Sequence, residues 1–88
     1  FDCFQDTELD MLLKRTLTVK NIIICGVNTD TCVYGTTFGA SNRGYNPIVI
    51  ECCTGSMRGE DQHQTALKIM SQSIAWVMKK EEILNKLN

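Results

Sequence analysis

Several absences narrow the sequence first. No charge of one sign dominates: nine Lys and Arg stand against ten Asp and Glu, a formal net charge of −1. With the basic residues scattered, nothing offers the electrostatic footprint that nucleic acid requires. No apolar run is long. Ile22 to Val27 is the longest, and a membrane-spanning helix needs about 20 such residues. No basic start or apolar stretch at Phe1-Asp2-Cys3-Phe4 resembles a secretory leader. There is no repeat, no low-complexity tract and no linker rich in Pro, Gly or Ser. What remains is a chain of 88 residues with 43% hydrophobic content, enough for a soluble globular fold and too much for intrinsic disorder. It opens on Phe1 rather than Met, which points to processing or cleavage from something longer.

Zinc signatures are missing too. No Cys-x-x-Cys pair and no paired-histidine spacing occurs among the five cysteines and the single histidine, so no metal site is expected within the chain. The cysteine count is odd, and Cys52 and Cys53 are adjacent. A secreted disulfide framework is therefore disfavoured, and reduced thiols in a cytoplasmic protein are expected.

What is present is alternation. Thr7 to Arg15 reads as a helix capped by Thr7, with Leu9, Leu12 and Leu13 on one face. Asn21 to Val27 is apolar at almost every position, as befits a strand in a parallel sheet covered on both sides. Thr31 to Arg43 reads as a helix stopped by Gly44. Asn46-Pro47 leads into a strand over Ile48 to Glu51, Glu60 to Ser73 into a helix striped by Ala66, Leu67, Ile69 and Met70. A short strand over Ile74 to Met78 and an amphipathic helix over Lys80 to Leu87 close the chain. This is an α/β pattern. Three parallel strands alone leave edges unpaired and faces bare, so part of a larger doubly wound domain is expected.

The chemistry concentrates in Cys25-Gly26-Val27-Asn28-Thr29-Asp30-Thr31-Cys32-Val33. A strand ends at Val27, Thr29 or Asp30 can cap the following helix, and Cys32 falls in its first turn. First-turn amides lack helical partners, and the helix dipole adds partial positive charge; both favour a thiolate. The same amides can donate to an oxyanion forming on an attacked carbonyl. Ligands of open parallel sheets bind beyond the carboxyl ends of the strands, where Cys32 sits. A small apolar residue packing helix against sheet would occupy the same position, since free cysteine is often buried.

Gly26-Val27-Asn28-Thr29-Asp30-Thr31-Cys32-Val33 resembles the Gly-Val-x-Thr-Asp-x-Cys-Val signature of isochorismatase-like cysteine hydrolases. That superfamily includes nicotinamidases, N-carbamoylsarcosine amidohydrolases, and biuret and ureidoacrylate hydrolases. Thr7-Glu8-Leu9-Asp10 is similar to a helix start two elements earlier, and Arg43-Gly44-Tyr45 to the end of the helix after the nucleophile. His63 falls where many members have a histidine, and Lys80-Glu81-Glu82-Ile83-Leu84 resembles their closing segment. The resemblance implies the C-terminal half of a doubly wound, mainly parallel sheet with helices on both faces. It implies Cys32 as nucleophile, the backbone amides of Asn28 and Cys32 as the oxyanion hole, and a cis peptide between Val27 and Asn28. Asn28 stands where a small residue, often Ala, is common. An Asp and a Lys that complete the family triad have no counterpart here, so an N-terminal segment of the same protein is the implied partner. The fragment alone is then expected to be inactive. A homo-oligomer is implied as well, and any metal would be held by residues outside this chain.

Other residues have plainer readings. Cys25 suits strand packing. Alternation sends Cys52 and Cys53 to opposite faces, one of them toward the pocket edge. Cys3 can line the site or pack. Thr29 and Arg58 are candidates for the substrate pocket, Arg58 because its loop lies on the ligand side of the sheet. Asp30 reads as a helix cap, His63 as a capping or solvent-facing residue, and Trp76 as packing against a helix. Tyr34 and Phe38 suit the core or a subunit contact. The favoured function is hydrolysis of a C–N bond in a small amide, carbamoyl or ureido compound. The alternatives are a non-catalytic α/β binding or scaffold protein without a complete triad, and a redox-sensing thiol protein.

Overall fold

The computed structural model describes residues 2–87. Three parallel strands lie side by side in chain order: β1 (Asn21–Val27), β2 (Asn46–Gly55) and β3 (Trp76–Met78). The helices alternate with them. α1 (Leu9–Met11) runs on into a π-helical turn over Leu12–Thr16. A second π-helical turn, Thr29–Val33, leads into α2 (Tyr34–Asn42). α3 (Glu60–Ser73) and α4 (Lys80–Leu87) follow β2 and β3.

Strand register explains the core. Ile24 pairs with Val49, and Val49 with Val77, so one row of branched side chains faces a single side of the sheet. Onto that row α3 lays Ala66, Leu67 and Met70, spaced three, four and seven residues from His63, with Val33 and Ala75 completing the cluster. Val49 and Met70 are fully enclosed, and a Met side chain so placed contributes about 1.5–3 kcal/mol. On the other side α4 packs against β2 and buries Ile83. Helices thus lie on both sides of the sheet, α4 covering β2 on the second side.

A second cluster fastens the N-terminal stretch to the far end of α2. Phe4, Ala40 and Tyr45 are buried there, with Leu9, Leu13 and Ile22 against them. Phe4 and Tyr45 stack at 5.6 Å, and the Tyr45 hydroxyl donates to the Asp10 carboxylate at 2.7 Å. α2 can stop here because Gly44 takes φ +87°, a left-handed conformation that costs glycine little. That turn lets the Tyr45 amide donate back to the Ala40 carbonyl at 3.1 Å.

The strand and helix boundaries of β1, α3 and α4 fall where the sequence pattern puts them, and other features differ. The first helix starts at Leu9 and relaxes into a π turn, while Thr7 accepts the Leu9 amide only at 3.4 Å. β2 continues to Gly55 because it bulges: from Ile24 to Gly26 on β1, its partner advances from Val49 to Thr54. Cys52 and Cys53 sit on that bulge, so alternation fails and both are exposed, 4.0 Å apart. β3 begins only at Trp76, since Ile74 still closes α3. Trp76 is 64% exposed rather than packed on a helix. β1 is an edge strand whose second face the described residues leave open: Ile24 is buried, whereas Ile23, Cys25 and Val27 are exposed. Cys25 is therefore not a core residue of these 86 positions.

Candidate active site

β1 delivers the chain to a turn that carries Cys32. The Val27–Asn28 peptide is cis. Beyond it, the Asn28 carbonyl accepts the amides of Thr31 (3.2 Å) and Val33 (3.0 Å), the residues on either side of Cys32. The Val33 bond spans five residues, which is why the turn is π-helical rather than α-helical. Val33 anchors the turn in the core, and the Thr37 hydroxyl donates to the Val33 carbonyl at 2.6 Å. Cys32, held between these fixed points, is an unbridged thiol exposed at the surface.

The side chains of Asn28, Thr29 and Asp30 are each tied to a different neighbour. Asn28 accepts the Met57 amide through Oδ1 at 2.8 Å. Thr29 is 0% exposed, and its hydroxyl shares a 2.7 Å hydrogen bond with Nδ1 of His63, itself 6% exposed. Asp30 accepts from the Ser56 hydroxyl (2.8 Å) and from Nη1 of Arg58 (2.8 Å), while Ser56 Oγ also accepts the Arg58 amide (3.1 Å). The Ser56 hydrogen bond, reinforced by the Arg58 guanidinium and opposed by burial, holds the Asp30 carboxyl below the usual carboxylate range.

These contacts correct two sequence expectations. Neither Thr29 nor Asp30 caps the helix: Asn28 is the capping position, and no side chain bonds the free amides there. Thr29 points inward to His63 and Asp30 sideways to the Ser56–Arg58 loop. His63 is not solvent-facing, because it lies on the apolar stripe of α3. Its spacing from Ala66, Leu67 and Met70 was the sequence signal for burial. The Ser56 and Met57 contacts had no such signal, since they join residues 26 and 29 positions apart. Of the two pocket candidates, Thr29 is buried against His63, and Arg58 is exposed and paired with Asp30.

One hollow, of about 200 Å³, borders the turn and is bounded by Asp30, Tyr34, Gln62, Thr65, Ala66 and Ile69. Another, of about 440 Å³, lies alongside the C-terminal part of β2 and has Cys52, Thr54, His63 and Lys80 among its walls. Among the described residues, no three His, Cys, Asp or Glu side chains converge to hold a metal ion. None of the described helices is long and apolar enough to cross a membrane.

A parallel α/β sheet with an exposed cysteine on the first turn beyond a strand puts that thiol at the carboxyl edge, where open sheets of this kind take their ligands. Comparison with known proteins gives the family. The family described as "Isochorismatase domain" matches residues 1–82. A curated relative, the uncharacterized isochorismatase family protein YecD of Escherichia coli O157:H7, is 32% identical over 84 residues, covering 96% of this chain and 44% of its own. The solved isochorismatase-like hydrolase from Alkaliphilus metalliredigens superposes with a TM-score of 0.89 at 27% identity, over 97% of this chain and 46% of that one. The nicotinamidase SaPncA from Staphylococcus aureus does so with a TM-score of 0.82 at 35% identity, over 89% and 48%. The chain belongs to the isochorismatase family. It spans less than half the length of each of these relatives.

Proposed function

We propose that the protein is a cysteine hydrolase that cleaves a C–N bond of a small amide, carbamoyl or ureido compound. The observation that carries the reading is the turn itself. An exposed thiol stands on a rigidly tied turn at the carboxyl edge of the sheet, in a chain 35% identical to a nicotinamidase.

In this reading the Cys32 thiolate attacks the substrate carbonyl carbon, and the amides of Asn28 and Cys32 stabilise the oxyanion that forms. The C–N bond breaks, the nitrogen leaves with a proton, and water hydrolyses the resulting thioester. Arg58 stands at the rim of the substrate pocket, and Thr29 supports its floor through His63. The Asp that takes the thiol proton and the Lys that favours the thiolate come from an N-terminal segment of the same protein. This chain is the C-terminal portion of one hydrolase domain, inactive without that segment. The whole enzyme works in the cytoplasm, as a homo-oligomer and without a cofactor bound by these residues.

The test is ammonia release from nicotinamide and a panel of ureido compounds by the whole enzyme and its Cys32→Ala variant. The account expects turnover that falls by at least about a thousandfold in C32A. Full activity in C32A would remove Cys32 from the chemistry. No turnover by the intact wild type on any amide or ureido compound would favour a binding protein that kept the fold.

A further inference from the structure

Asp30 lies two residues before Cys32 and is nearly enclosed, its side chain 13% exposed against 57% for Arg58. An enclosed carboxylate needs donors, and its side-chain donors come from one loop, the Ser56 hydroxyl and the Arg58 guanidinium. The loop is held at a further point where the Met57 amide meets Asn28 Oδ1. A guanidinium beyond the carboxyl ends of β1 and β2 would ordinarily attract carboxylate ligands through paired N–H donors. Here Nη1 of that guanidinium donates to Asp30 at 2.8 Å, and the ion pair carries no net charge toward whatever approaches Cys32.

We propose that Asp30 is a specificity-determining residue: by clamping Ser56 and Arg58 it fixes the loop beside the nucleophile turn and cancels the Arg58 charge, so that Cys32 meets neutral substrates in preference to anionic ones. For its catalytic consequence this rests on the reading of Cys32 as nucleophile. The charge masking itself acts on any reagent that reaches the thiol.

The test uses the full chain and two reagents of nearly equal size, neutral iodoacetamide and anionic iodoacetate. Their rates at Cys32 are read by peptide mass spectrometry, with the exposed thiol of Cys3 as internal control. A unit charge within a few ångströms to a helical turn of the reacting atoms, screened by solvent, changes such a ratio roughly severalfold. Asp30→Asn should raise the iodoacetate-to-iodoacetamide ratio at Cys32 by that factor. Arg58→Gln, a substitution at an exposed position, should lower it by a similar factor, and D30N/R58Q should return it to the wild-type value. The shifts should shrink in 1 M salt, which a purely structural effect would not do. Unchanged ratios in both single variants, or equal shifts at Cys3, would overturn the proposal. Because the alkylation needs no turnover, these outcomes are independent of whether C32A abolishes hydrolysis.

Discussion

The hydrogen bond between Thr29 and His63 ties the Cys32 turn to α3, and Thr29→Val isolates it. The bond is 2.7 Å long and both partners are buried, so water cannot replace it. Valine keeps the branched shape but removes the hydroxyl, leaving the ring nitrogen of His63 enclosed without a partner. Losing the bond and stranding its partner costs about 1–3 kcal/mol. The added methyl group recovers up to about 0.8 kcal/mol through burial. The unmet polar group wins, and a net loss of roughly 0.2–2 kcal/mol is expected, or up to about 15 °C in Tm for a domain of this size. His63→Leu should cost a similar amount by stranding the Thr29 hydroxyl. T29V/H63L, in which both sites are apolar, should be less destabilised than the two singles added together, with a coupling of about 1 kcal/mol or more. Urea unfolding of the full chain followed by circular dichroism supplies all four free energies. Additive singles, or a T29V variant as stable as the wild type or more so, would show that the bond does not fix the turn.

Two further outcomes follow from the packing and the charges. Burial first, and then its hydrogen bond to Asp10, push Tyr45 up to about 12 from the ordinary value near 10. Only the protonated phenol donates, so this stabilisation is complete below pH 10 and lost as pH rises through about 12. Tyr45→Phe should remove that alkaline loss from the stability profile, and an unaltered profile in Y45F would refute the assignment. Asp10, held below the usual carboxylate range chiefly by the Tyr45 hydroxyl, contributes above its unfolded value near 4 and loses the contribution on acidification. In the core, Met70→Ala should cost about 2–5 kcal/mol, because Met70 is fully enclosed under the Ile24–Val49–Val77 row. Met57→Ala, 87% exposed, should stay within about 0.5 kcal/mol of wild type. Equal urea midpoints for the two variants would contradict this placement of the core.

What could be read in advance was local. The unbroken apolar run over Asn21–Val27 marks β1, Gly44 marks the end of α2, and the stripe of Ala66, Leu67 and Met70 marks the buried side of α3. Each is a property of neighbouring residues, and periodicity or left-handed backbone preference reports it directly. The site was legible as a motif but not as a set of contacts. Asp30 looks like a helix cap because Asp favours such positions, yet a hydroxyl and a guanidinium from a loop after β2 compete for the same oxygens. Nothing local encodes that competition. The β2 bulge that brings Cys52 and Cys53 out together depends on pairing with β1. The exposure of Cys25 and Trp76 depends on which surfaces cover the sheet. Those are properties of long-range packing, and a run of residue types carries no direct sign of them.

The most direct test of the central claim is to look for the covalent intermediate on Cys32. The whole enzyme, turning over an amide substrate, is quenched in acid and examined by intact-mass and peptide-level mass spectrometry. The account predicts an added acyl group on the peptide that contains Cys32, absent from C32A and removed when hydrolysis is allowed to finish. Turnover that persists in C32A with no acyl group on that peptide would contradict it.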